Sequence, residues 1–116
     1  MERIILERTG MLDLCFEGAL IGEGGTKNAH LPTRGLEVKI YKTKKGNFVA
    51  HTYHWTRWQG ERSTSMAGYF ETPDEVYDFL VDDFDGENLG NASKEAWEEA
   101  CDSGEFGDAS KYEEVE

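Results

Sequence analysis

The sequence has little that would anchor, export or staple it. No run of about 18 apolar residues occurs, and the opening Met1-Glu2-Arg3-Ile4-Ile5-Leu6-Glu7 lacks the basic segment and long apolar core of a leader peptide. A soluble, unexported chain is expected, with the cytoplasm as its location and no membrane as its partner. Cysteine is scarce as well. Cys15 and Cys101 stand 86 positions apart, and without an export signal a reduced pair is expected.

The same scarcity thins out the chemistry. Cys15, His51, His54 and Cys101 hold suitable donor atoms for zinc, but no two cysteines are close, and His51 and His54 point to opposite faces of an extended segment. Cys15 alternates with core-type residues and Cys101 sits among carboxylates that oppose a thiolate, so neither reads as a nucleophile. Gly22-Glu23-Gly24-Gly25 has no lysine or following helix to make a phosphate loop, and Glu23 would repel a phosphate. Asp82-Asp83-Phe84-Asp85-Gly86-Glu87-Asn88 superficially matches a calcium loop, but the sixth residue counted from Asp82 is Glu87, where that loop requires glycine. No internal repeat is present. The expectation is a non-enzyme with no catalytic residue, no metal and no cofactor.

Positive charge is what the second half of the chain lacks. Residues 1–70 carry ten Lys or Arg against seven Asp or Glu, whereas residues 71–116 carry two against seventeen, within a net charge of −12. Charge polarised in this way speaks to partners more than to fold. It disfavours free double-stranded DNA and favours a basic protein surface.

What is present is enough to fold. A chain of 116 residues suits one domain spanning 1–116, and 12% aromatic residues give it large groups to bury. Arg3 to Arg8 reads as a strand, Thr9-Gly10 as a turn, and Leu12, Leu14 and Phe16 alternate with Asp13, Cys15 and Glu17 as in a half-buried strand. Gly18 is the expected bulge, and Gly22 to Gly25 the expected end of that strand. After a loop from Thr26 to Gly35, Leu36 to Lys42 alternates again. Lys44 to Asn47 is a turn, Asn47 to Arg57 the longest predicted strand, and Thr64 to Glu71 the last, with Met66, Gly68 and Phe70 on one face. The expected fold is α+β: a four- or five-stranded antiparallel meander over 1–71, two acidic amphipathic helices over 72–104 packed on one face of it, and an acidic tail over 105–116.

The first helix is the clearest element. Thr72 has the N-cap residue type, Pro73 the φ of the first helical position, and Glu75 the place of a capping-box carboxylate. Val76, Phe79, Leu80 and Phe84 follow the spacing of a buried stripe, and Asp74, Asp78, Asp82 and Asp85, with Asp83 beside them, the spacing of an acidic one. At about 1.5 Å rise per residue those acids recur about every 6 Å, a linear array like a phosphate backbone. In the second helix, starting near Asn91 or Ser93, Ala96, Trp97, Ala100 and Cys101 share one face and Glu95, Glu98, Glu99 and Asp102 point outward. The plain alternative is a solvated face that confers solubility.

A second segment stands out, His51 to Arg62. If extended, His51, Tyr53, Trp55 and Arg57 line one face, and His54 and Trp58 the other. Aromatics interleaved with Arg stack bases or anchor protein interfaces, so Tyr53, Trp55, Arg57 and Trp58 form the alternative binding face, that of a small module for protein or single-stranded nucleic acid. A sheet face covered by the helices accounts for the same aromatics.

In size, charge and a helix-borne acidic face, the chain resembles the small acidic anti-defence proteins of phages and mobile elements, the anti-CRISPR and anti-restriction inhibitors that imitate DNA. The resemblance implies a non-enzymatic inhibitor in the host cytoplasm, occupying the Lys/Arg-lined channel of a nucleic-acid-binding protein or complex. On the present residues, Asp74, Asp78, Asp82, Asp83, Asp85, Glu95, Glu98, Glu99 and Asp102 are the partner-binding candidates.

Overall fold

The alternating segments become strands β1 (Glu2–Leu6), β2 (Leu14–Gly25), β3 (Arg34–Thr43), β4 (Phe48–Thr56) and β5 (Thr64–Phe70), followed by helices α1 (Pro73–Phe84) and α2 (Asn91–Asp102). The computed structural model describes residues 2–25, 34–56, 60, 62–84 and 91–105, with the backbone alone at Arg34, Asp82, Asp83, Phe84 and Asn91. The fold is α+β, its strands forming one antiparallel sheet in the order β1-β2-β3-β4-β5. Beyond Glu105, the expected acidic tail lies outside the described residues.

Three expectations about the first seventy residues are corrected. β1 stops at Leu6, and Leu12, 86% exposed, precedes β2 instead of packing in it. The bulge falls between Leu20 and Gly22, whereas Gly18 keeps its partners Glu2 and Thr43 in unbroken register. β2 also continues through Gly22–Gly25, which makes it the longest strand at 12 residues against 9 in β4. The physical reason is the approach of α2. A Cβ on Gly22 would lie 2.3 Å from the Ala96 carbonyl oxygen, and one on Gly24 would lie 2.0 Å from that of Ala92. These glycines interrupt nothing; they let a helix backbone lie directly on a strand.

That contact opens the main core. Ile21, Val38, Ile40, Phe48 and Ala50 from the strands cluster with Val76 and Leu80 of α1 and with Ala92, Ala96, Trp97 and Ala100 of α2. Register explains the membership, since Ile40 lies opposite both Gly22 and Ala50, and Val38 opposite Gly24. Leu36, Phe70, Phe79 and Cys101 pack around the cluster, with Phe70 and Phe79 ring centroids 5.3 Å apart. The two helices meet at an edge-on contact between Tyr77 and Trp97, centroids 5.1 Å apart. α1 starts as its sequence dictates. The Thr72 hydroxyl oxygen accepts the Glu75 N–H at 3.3 Å, while the hydroxyl donates to the Glu75 carboxylate at 3.1 Å, a variant of the capping box.

Residues of opposite parity build a second cluster from Leu6, Tyr41, Val49 and Ala67, flanked by Ile4, Leu14 and Phe16. Here the sheet bends far enough for the segment after β1 to reach β5. Thr9 N–H donates to the Ser65 carbonyl at 2.6 Å, Ser65 N–H to the Thr9 hydroxyl at 2.8 Å, and the Ser65 hydroxyl to the Glu7 carbonyl at 2.6 Å.

Adding a methyl group at Gly24 forces α2 off the strand. Gly24→Ala is expected to cost about 3 kcal/mol, at the upper end for overpacked cores. At Gly46, where φ is +90 and nothing lies within 4 Å of a new Cβ, alanine should cost only about 1 kcal/mol through the backbone. Urea unfolding of the two variants checks the difference. Thr72→Ala removes the cap and should lower stability by about 1 kcal/mol, read in the same assay.

Candidate functional site

The acidic residues follow from how the helices are buried. Val76 and Leu80 of α1 and Ala96 and Ala100 of α2 have no exposed surface, which turns the other side of each cylinder to solvent. On α1, Asp74, Glu75 and Asp78 are exposed; on α2, Glu99 and Asp102 are exposed and Glu95 and Glu98 half-buried. Asp82 and Asp83 belong to the last turn of α1, but their side chains, like all of Asp85, lie outside the described residues. Lys94 is the single cation on the two helices. Among the described residues no ion pair reaches Asp74, Asp78, Glu98 or Glu99. The ion pairs seen elsewhere join Lys42 to Glu105 at 3.1 Å and Lys44 to Glu17 at 3.4 Å, partly exposed contacts of the kind worth about 0–1 kcal/mol.

Helix geometry divides the acids of α2. Glu95 and Glu99, one turn apart, line a groove with Glu23, Gly24, Gly25, Glu37 and Lys39 at the end of β2 and β3. Glu23 and Lys39 are register partners there. Periodicity does not single out Glu23 or Glu37, because the glycines around Glu23 have the pattern of a strand break. By register Glu23, Glu37 and Lys39 belong to the side of the sheet that carries His51 and Tyr53, so the groove runs round the end of β2 between that side and α2.

The aromatic segment is arranged differently from the expectation of a helix-covered face. Tyr53 lies opposite Glu37, and Trp55 opposite Gly35, so both belong to the side of the sheet away from Val38 and Ala50. The Trp55 ring sits over the Gly35 backbone, where a Cβ would come within 2.2 Å of it. Trp55 is therefore half-buried as a packing group. Arg57 and Trp58 lie outside the described residues. His51, on the same side as Tyr53, hydrogen-bonds through Nε2 to the Ser65 hydroxyl at 2.7 Å. Burial lowers its pKa below the usual histidine value, and the Lys39 ammonium adds to the effect against a smaller opposing pull from Glu37.

The remaining candidate groups stand apart. Cys15 is exposed and Cys101 half-buried, and the two are not joined in a disulfide; Arg3 Nε donates to Cys15 Sγ at 3.2 Å. Among the described residues no group of three or more His, Cys, Asp or Glu side chains is placed to hold a metal, and no helix is long and apolar enough to cross a membrane. Burial, with help from the Glu23 carboxylate, raises the pKa of the Tyr41 hydroxyl. Comparison with known proteins found no match among family models, curated proteins or solved structures.

The packing of Trp55 on Gly35 takes one side of that ring out of reach of a base. Titration with a single-stranded oligonucleotide should leave the tryptophan fluorescence unchanged; quenching that saturates would restore the strand carrying Tyr53 and Trp55 as a nucleic-acid surface.

Proposed function

We propose that the protein is a non-enzymatic inhibitor that binds a basic, nucleic-acid-binding protein or complex through the acidic outer faces of α1 and α2, in the manner of a DNA mimic. Both helices contribute to one buried cluster, and on this reading they lie together against one face of the sheet and present their acids as one surface. The observation that carries the proposal is the placement of charge against the helices' own interest. Asp82 and Asp83 stand in the last turn of α1 without any base there, where carboxylates oppose the helix macrodipole. Asp74 and Asp78 are like charges one turn apart, which cost a few tenths of a kcal/mol per pair. Solubility needs neither arrangement, whereas recognition of a Lys/Arg-lined channel uses both. The acids on the groove side of α2 widen the surface a partner would meet.

The test neutralises the face without touching the core. Asp74→Asn, Asp78→Asn, Asp82→Asn and Glu99→Gln together should leave the unfolding midpoint unchanged or slightly raised. Capture of nucleic-acid-binding proteins from a bacterial lysate should fall by roughly tenfold or more, mainly through slower association. Capture by the unaltered protein should also weaken at high salt and in the presence of competing DNA. Retention of the same partners by the neutralised protein would refute the proposal.

A further inference from the structure

We propose that the outer edge of β1 binds the same edge of a second copy of this chain, giving a closed dimer through an antiparallel β1–β1′ ladder centred on Ile4. Which backbone groups face outward follows from two independent contacts. On β2 the Glu17 carbonyl accepts from Lys44 N–H, so Glu17 turns toward β3, and by alternation Leu14, Phe16 and Gly18 turn toward β1. Their register partners Leu6, Ile4 and Glu2 therefore bond inward. The N–H and C=O groups of Arg3 and Ile5 are left pointing off the sheet. The contacts after the strand agree, because the Glu7 carbonyl and Thr9 N–H, of the same parity as Arg3 and Ile5, both reach outward to Ser65 of β5. β1 is the first strand in the sheet order. Among the described residues no strand and no backbone hydrogen bond covers its outer side before Glu7.

This edge is poorly guarded. It has neither a proline nor a bulge, its last three residues are Ile4, Ile5 and Leu6, and Ile5 is 59% exposed. The number and order of its groups select the occupant. With a two-fold axis at Ile4, Arg3 lies opposite Ile5′ and Ile5 opposite Arg3′, as closely spaced hydrogen-bonded pairs. The four bonds use both outward N–H groups and both outward carbonyls of each copy, so the contact closes on itself. Length fits as well: Glu2′ falls opposite Leu6, and the incoming strand stops where the Glu7–Ser65 contact seals the edge. Charge fits too. Arg3 and Glu7′ share one side of the joined sheet on a diagonal that long side chains span. Among the described residues neither has an ion-pair partner in its own chain, since Glu17, opposite Arg3, is held by Lys44. A strand of unrelated sequence would satisfy the backbone but not this reciprocal pairing. The two Ile4 side chains meet on the side of the Leu6 cluster, and Ile5 gains the cover of the Arg3′ stem.

Sedimentation velocity of the full chain tests this. The mass should rise toward twice that of one chain over micromolar to millimolar concentrations, without larger species. Ile5→Pro removes an N–H that β2 does not use and should weaken the dimer roughly tenfold or more, because each dimer loses two hydrogen bonds. Arg3→Glu should weaken it several-fold, and adding Glu7→Arg should restore it. If Ile5→Pro does not fold, amide exchange of the unaltered chain decides. Arg3 and Ile5 amides should gain protection with concentration, while those of Ala67 and Tyr69, which share the outward parity of Ser65 on β5, should not. A chain that stays monomeric throughout, a dimer that survives Ile5→Pro, protection gained at Ala67 and Tyr69 instead, or a charge swap that fails to restore association would overturn the proposal.

Discussion

Everything in this fold depends on how closely α2 approaches β2. With the Ala96 and Ala92 carbonyls only 2.3 and 2.0 Å from where Cβ atoms of Gly22 and Gly24 would stand, the helix rests on bare backbone. The alanines at 92, 96 and 100 are the matching half of the contact, small enough to bring the helix axis close. Close approach has two effects. It seals a core whose largest fully buried side chains are no bigger than Ile40 and Leu80, and it sets the rotation of α2 so that Trp97 meets Tyr77 while Glu95 and Glu99 fall over the end of β2. The acidic groove is thus a by-product of a steric fit.

Much of the architecture was legible from periodicity. Leu36, Val38 and Ile40 alternate as a half-buried strand should, and the cap of α1 at Thr72 and Glu75 is visible in residue types alone. The part that was not legible is the second half of β2. Alternation is read from side chains, and Gly22, Gly24 and Gly25 have none to show, so a strand made for close helix contact looks the same as a loop. The same blindness hid Glu23, whose role depends on a strand that the glycines conceal. For the aromatic segment the period was right and the covering layer was not. Tyr53 and Trp55 do share a face, but nothing in the residues told which face the helices would take.

Charge and packing are separable here. Exposed carboxylates occupy helix positions that the core does not use, and Val76, Leu80, Ala96 and Ala100 hold the helices in place irrespective of them. A protein built this way can vary its outer stripe without repacking its interior. The side of the sheet that carries Tyr41 and Val49 obeys different rules, because there polar groups such as His51, Ser65 and Thr9 are woven into the hydrogen bonding that bends the sheet.

The irregularity between Leu20 and Gly22 has a consequence for chain length. Before it, Leu14, Phe16 and Leu20 take the Tyr41 side of the sheet; after it, Gly22 and Gly24, of the same parity, take the side of Ile40 and Val38. One strand therefore serves two interiors in succession, and Ile21 is the pivot. Deleting Ile21 would restore strict alternation with Gly22 still opposite Ile40, Glu23 opposite Lys39 and Gly24 opposite Val38, and would cost only the Ile21 side chain in the cluster around Ile40 and Ala96. The extra residue thus admits one large apolar side chain beside two positions that must stay bare for α2, in a stretch whose neighbours Ala19 and Leu20 are open to solvent.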